Sequence, residues 1–192
     1  MIRIETPLTD AVIKNLRIGT QIALSGVVYT ARDAAHKKLV ELIALEKPLP
    51  FDVKGSVIYY TGPSPARPGR VIGAAGPTTS RRMDPYVEKL MQHGMKGMIG
   101  KGRRSPTVID ALKKYIGVYF GATGGLGALL AESVREKITL AFEDLGAEAV
   151  MRLVVEDMPL IVLNDCYGDD FFAENITKWA YHLQKEKPDV GI

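Results

Sequence analysis

DPYVEKLMQHGMKGMIGKGRRSPTVIDALKKYIGVYFGA, residues 84–122, is the stretch whose reading decides the fold. Asp84 is placed as a helix cap, Pro85 suits a first helical turn and Gly94 suits a C-terminal stop. MKGMIGK, residues 95–101, then reads as a short strand. The same grammar repeats with Ser105 as cap, Pro106 in the first turn and Gly117 at the stop, before a second strand, VYFGA. Strand and helix alternating at this period are the mark of βαβ units and a parallel sheet.

Working outward, IRIETP (residues 2–7) and TQIALSGVVYTA (20–31) are rich in β-branched residues and read as long, antiparallel-looking strands. Leu39, Leu42 and Ile43 fall at helical spacing within residues 32–46, and Pro48 marks the stop. SVIYYTG (56–62) is another strand, and PSPARPGR (63–70) is a connector with three prolines. RVIGAAG (70–76) is expected to return to the sheet, and GGLGALLAESV (124–134) to enter a helix. AVMRLVVED (149–157) and PLIVLND (159–165) read as two strands, followed by a helix over residues 171–184. Neither a linker nor a repeat divides the chain. The expectation is a single α/β domain over residues 1–192, with a mixed sheet flanked by helices.

Composition narrows the function. The 192 residues are 46% apolar and 24% charged, ordinary globular values that exclude collagen-like and disordered classes. Twenty-five Lys and Arg against 22 Asp and Glu leave a charge of +3, too small an excess to indicate a nucleic-acid partner. The longest uncharged run, residues 115–131, has 17 residues and five glycines, so no membrane span is expected. The start lacks a basic segment leading into an apolar one, and the expected compartment is the cytoplasm. One cysteine, Cys166, cannot make an internal disulfide or hold an iron–sulfur or zinc site by itself, so no metal is expected on this chain's own ligands.

The chemistry-bearing residues gather at strand-to-helix junctions. Gly121, Gly124, Gly125 and Gly127 form a loosened dinucleotide fingerprint, open to three readings: a nicotinamide site, close backbone packing, or an anion-facing helix start. A P-loop around Lys101 fails, because Met95 and Gly102 stand where Gly and Ser or Thr are needed. Lys101, Arg103 and Arg104 precede the Ser105 helix start, an arrangement that suits either an anion or a solvated turn. Thr78, Thr79 and Ser80 with Arg81 and Arg82 have the same layout and are equally open to a capping role. Arg32, His36, Lys37 and Lys38 make a third junction. In open α/β sheets such junctions gather at one edge, which points to a small ligand with two negative groups. Nothing in the chain supplies an electrophile.

RDAAHK (32–37), GPTTS (76–80) with Arg82-Met83-Asp84, KGRRS (101–105), Val155-Glu156-Asp157 and DCYGDDFF (165–172) occur in one order. As a set they resemble the β subunit, or C-terminal domain, of class I iron–sulfur fumarate hydratases, in register from about Thr6 to Phe172. The resemblance implies a swivelling β/β/α fold and an α subunit that ligates a [4Fe-4S] cluster with its own cysteines, in a hetero-oligomer such as α2β2. It implies that Arg32, Arg82 and Lys101 clamp a dicarboxylate, that Thr79 adds a hydrogen bond, and that Thr78 acts as base at C3. Asp33, His36, Gly76 and Arg104 would stand behind these groups. Arg81 departs from the small residue frequent there in the family. Lys-Gly-x-Arg-Ser and EDMPLIVLND favour fumarate and malate over L-tartrate, whose dehydratase β subunits share GPTTS. A nicotinamide-dependent oxidoreductase built on the glycine run is the alternative of a different class.

Overall fold

The computed structural model describes residues 1–122 and 125–185. Its strands are β1 (Ile2–Glu5), β2 (Gln21–Thr30), β3 (Val57–Tyr59), β4 (Gly97–Gly100), β5 (Val118–Gly121), β6 (Val134–Ala141) and β7 (Val150–Asn164). Its α-helices are α1 (Asp10–Lys14), α2 (Asp33–Ala44), α3 (Asp84–Gln92), α4 (Pro106–Tyr115), α5 (Gly127–Glu132) and α6 (Phe171–Lys185). Two 3₁₀ turns, Ser80–Met83 and Glu143–Glu148, complete the set.

The strand order is β1-β2-β3-β4-β5-β7-β6, and β2 also pairs with β7. β1 to β5 run parallel, while β7 runs antiparallel to β2, β5 and β6. The pairings β2–β3–β4–β5–β7–β2 therefore close into a ring. This is a single α/β domain with a mixed sheet flanked by helices.

Period-2 alternation sorts the side chains of β3, β4 and β5 into two cores. Val57, Tyr59, Ile99, Val118 and Phe120 join Ile22, Leu24, Val28 and Val162 in one cluster. Ile58, Tyr60, Met98 and Tyr119 meet Leu39 of α2, Leu90 of α3 and Leu112 of α4 in the other. Burying both faces is what parallel strands with helical crossovers require. No helix among the described residues is long and apolar enough to cross a membrane.

Four local expectations need correction. Residues 70–76 form no strand. Gly73 and Ala74 pack against the 64–65 turn instead: a Cβ on Gly73 would lie 2.3 Å from the Ser64 carbonyl oxygen, and Ser64 N–H donates to the Ala74 carbonyl at 3.0 Å. The two strands expected at 149–165 are one, β7. The ladder to β2 runs past Pro159 and past Asp157 (φ 48°), because a register shift between Leu24 and Gly26 absorbs the irregularity. β6 and the short helix α1 were not expected; in β6 the charged run Arg135-Glu136-Lys137 interrupts the alternation of Val134, Ile138 and Leu140, and the positions from Arg135 to Leu140 are all exposed. Finally, β1 is parallel to β2, whose antiparallel partner β7 lies far along the chain.

Candidate functional site

The parallel strands β2, β3 and β4 end on one side of the sheet; Arg32 and Lys101 closely follow β2 and β4, and the segment from Thr78 to Arg82 returns to the end of β3 after a connector. Arg32 leaves β2 at the start of α2. Its carbonyl accepts from His36 N–H at 2.8 Å and sits 2.9 Å from His36 Nδ1. Its guanidinium lies over Gly62, where a Cβ would come within 3.2 Å of Nη1, and pairs with Glu148 at 3.0 Å. Next in sequence, Asp33 Oδ2 accepts from Arg82 Nη2 at 2.8 Å. Burial opposes the Asp33 charge, but the Arg82 hydrogen bond and the Arg82 and Arg32 charges outweigh it and hold the carboxyl below its usual pKa. Arg32 and Arg82, far apart in sequence, thus flank one carboxylate.

The Gly76–Ser80 stretch is tied down by backbone. The Gly76 carbonyl accepts from Thr61 Oγ1 at 2.8 Å, and Thr78 N–H donates to the Tyr60 carbonyl at 2.6 Å. Ser80 N–H donates to the Lys101 carbonyl at 3.0 Å and Lys101 N–H to the Thr78 carbonyl at 3.4 Å, so Thr79 and Lys101 bridge in parallel. Gly100 permits this approach, since a Cβ there would lie 1.9 Å from Ser80 Oγ. Thr79 holds the cap position of the 3₁₀ turn without a side-chain cap bond. The hydroxyls of Thr78 and Thr79 and the ammonium of Lys101 have no side-chain partner among the described residues. Thr78 is half-buried, while Thr79, Arg81, Arg82 and Lys101 are exposed.

Beneath this rim lies a sealed polar layer. The side chain of Arg104 is 0% exposed, pairs with Asp84 at 2.9 Å and lies against the rings of Tyr60 and Tyr119 at 5.3 and 4.9 Å. Asp84, expected to cap its own helix, instead accepts from Ser105 N–H at 2.8 Å and so caps α4; the Ser105 side chain makes no cap bond. His36 is fully buried with its ring edge-on to Tyr60, and burial above all drives its pKa down to about 4. A neutral His36 must place its proton on Nδ1, facing the Arg32 carbonyl.

Other sequence candidates lie apart from the rim or serve packing. Lys38 pairs with Asp144 at 2.6 Å. Gly121 and Gly127 make close contacts: a Cβ on Gly121 would come 2.5 Å from Leu163, and one on Gly127 would come 2.9 Å from Gly76 N. Close backbone packing is therefore the reading these two positions support; Gly124 lies outside the described residues. Cys166 follows β7 near the opening of β2, where Gly19 N–H donates to the Val162 carbonyl at 2.8 Å, at the opposite end of the strands from the rim. No cluster of three His, Cys, Asp or Glu side chains fit to hold a metal occurs among the described residues. A hollow of about 410 Å³ between residues 64–74 and α5–β6 is lined by none of Arg32, Thr78, Thr79, Arg82 or Lys101. Sequence reading missed Glu148, Tyr119 and Tyr60. The two tyrosines looked like ordinary strand residues, and no local signal links Glu148 to Arg32.

The fold and this rim define an α/β domain that gathers cations and free hydroxyls at one end of its parallel strands. The Fumarase C-terminus family model matches residues 1–175, and the chain belongs to that family. It is 41% identical over 170 residues to the anaerobic class I fumarate hydratase of Escherichia coli (strain K12), covering 88% of this chain and 31% of that protein. It is 42% identical over 161 residues to fumarate hydratase 2 of Leishmania major, covering 83% and 28%. A Methanocaldococcus jannaschii protein with the provisional name L(+)-tartrate dehydratase subunit beta is 36% identical over 185 residues, covering 93% of this chain and 94% of that protein. The chain thus spans about a third of the length of the fumarate hydratases it matches. Class I fumarate hydratases are iron–sulfur enzymes. The described residues, with one cysteine remote from the rim, do not fit such a cluster.

Proposed function

We propose that this chain, acting as one domain over residues 1–192, is the β half of a cytoplasmic hydro-lyase that interconverts (S)-malate and fumarate. The observation that carries the reading is the rim itself: Thr78, Thr79 and Lys101, free of internal side-chain partners, stand beside the Arg32–Asp33–Arg82 group. Arg82 and Lys101 hold the two substrate carboxylates, with Arg32 the third cation of the clamp. The guanidiniums suit bidentate carboxylate contacts, the ammonium a point charge. Glu148 and Asp33 keep the two arginines in place and moderate their charge before substrate arrives. Thr79 donates a hydrogen bond to a carboxylate oxygen. Thr78, half-buried and fixed at its backbone by Tyr60, takes the C3 proton as its alkoxide. Its hydroxyl first passes its own proton to a carboxylate of the α subunit, neighbouring groups stabilise the alkoxide, and the C3 proton returns it to the neutral hydroxyl.

The remaining chemistry falls to an α subunit, whose existence the name "subunit beta" of the M. jannaschii relative supports. The [4Fe-4S] cluster is assigned to that subunit because the described residues of this chain do not fit it. No step here runs through a group on this chain's lone Cys166. The same relative, nearly equal in length, favours L-tartrate as a second reading. The test is anaerobic co-expression with the α subunit and assays on fumarate, (S)-malate and L-tartrate. Fumarate hydration by the complex and none by this chain alone is expected; activity of the isolated, iron-free chain would overturn the shared site, and turnover of tartrate alone would replace the substrate.

A further inference from the structure

Tyr119, in β5, is fully buried from solvent. Its hydroxyl touches both rim loops. The Gly102 carbonyl, 3.0 Å away, can only accept, so the tyrosine proton points there. The Ser80 hydroxyl, 2.8 Å away on the other side, must then donate to the Tyr119 oxygen. Burial raises the Tyr119 pKa further above its ordinary value, so the phenol keeps its proton throughout the working pH range. The Arg104 guanidinium, 4.9 Å from the ring centroid, holds the ring from another side.

Ser80 belongs to the segment carrying Thr78, Thr79 and Arg82, and Gly102 follows Lys101. Between residues 78–80 and 101–102 the direct backbone bonds are one of 3.0 Å and one of 3.4 Å, the latter near the limit for a hydrogen bond. We propose that Tyr119 is a positioning residue whose hydroxyl clamps the two loops in register and so sets the Thr78 hydroxyl against the Lys101 ammonium. The catalytic consequence rests on the functional reading above; the mechanical one rests on the hydrogen bonds alone. Displacing a reacting group by about 1 Å can cost on the order of 10²-fold in rate, which gives such a clamp leverage.

The test is Tyr119→Phe, which keeps the ring and removes both bonds, in the cluster-loaded complex. The expected outcome is a kcat at least tenfold lower with KM changed less than threefold, and normal assembly and cluster absorbance. Amide hydrogen exchange at Ser80 and Lys101 should rise about tenfold. Ser80→Ala should act in the same direction, and the double variant should be no worse than the poorer single one. Tyr167→Phe, which removes a bond to the Lys14 carbonyl, should change none of these. Unchanged exchange at Ser80 and Lys101, or a kcat within twofold of wild type, overturns the clamp. A wild-type complex inactive on every substrate overturns the functional reading instead, and exchange then decides the clamp alone.

Discussion

Lys101 and Arg104 sit three residues apart in one loop, yet they belong to different regimes. Lys101 is exposed and has no side-chain partner among the described residues, whereas the Arg104 side chain is sealed from solvent against Asp84 and two tyrosine rings. The rim and the layer beneath it differ in the same way throughout. Rim hydroxyls and Lys101 have no side-chain partner among the described residues and Arg32 and Arg82 are held by half-buried carboxylates, while the buried groups answer mainly to one another. A polar group kept unsatisfied at a surface is available for binding, and a charge buried in a pair is a commitment of the fold. The rim should therefore register substitutions in kinetics and the buried charges in stability, with Tyr119, whose hydroxyl bonds both rim loops, the buried group expected to act on kinetics.

The largest contrast is expected at Thr78. Thr78→Val should lower kcat of the assembled complex about 10²–10⁴-fold, the usual range for lost general-base assistance, with little change in substrate affinity or denaturation midpoint. Near-normal turnover would move the proton acceptor to the partner. At Arg104 the balance inverts. Arg104→Ala leaves the Asp84 charge buried and unpaired and should cost about 3–5 kcal/mol of unfolding free energy, measured by denaturant titration. Removing both charges together should recover much of that loss. If Arg104→Ala instead spared stability and abolished substrate binding, the division between layer and rim would be broken.

His36 sharpens the comparison through pH. Its native pKa, about 4, lies below the unfolded value of 6.5, so the unfolded state binds the proton more tightly. The associated stability is fully present above pH 6.5 and lost as pH falls toward 4. That loss should amount to about 3 kcal/mol, read as the difference in pH slope between wild type and His36→Gln. Arg82→Ala should weaken transition-state binding by about 2–4 kcal/mol in kcat/KM. Its exposed pair with Asp33 predicts a stability change below about 1 kcal/mol, measured by thermal denaturation. Thr79→Val is expected to have the smallest effect, about 1–2 kcal/mol and mainly in apparent affinity, measured by substrate titration of the same complex.

Much of the frame was legible because local grammar and tertiary outcome agree. Pro85, Gly94, Pro106 and Gly117 punctuate α3, β4, α4 and β5 where parallel βαβ units need punctuation. Glycine spacing misled where it served contact between distant backbones: Gly127 sits against Gly76 and Gly73 against the 64–65 turn. β6 was hard to read because the charged run Arg135-Glu136-Lys137 breaks the alternation of Val134, Ile138 and Leu140 on a strand exposed at nearly every position.

From local pattern alone the chain determines its α/β class, the strand-to-helix junctions and the cations and hydroxyls stationed at them. Only the tertiary structure decides which of those groups are spent. Arg104 lies three residues beyond Lys101 and looks like another rim cation, but Asp84, Tyr60 and Tyr119 enclose it. Arg32 acquires Glu148 across 116 positions, and Asp33 acquires Arg82 across 49. Such pairings arise from sheet order and from the crossing of helices above it. A linear sequence states how far apart two charges are along the chain and is silent on how the closed ring of strands brings them within 3 Å, where burial and charge pairing act.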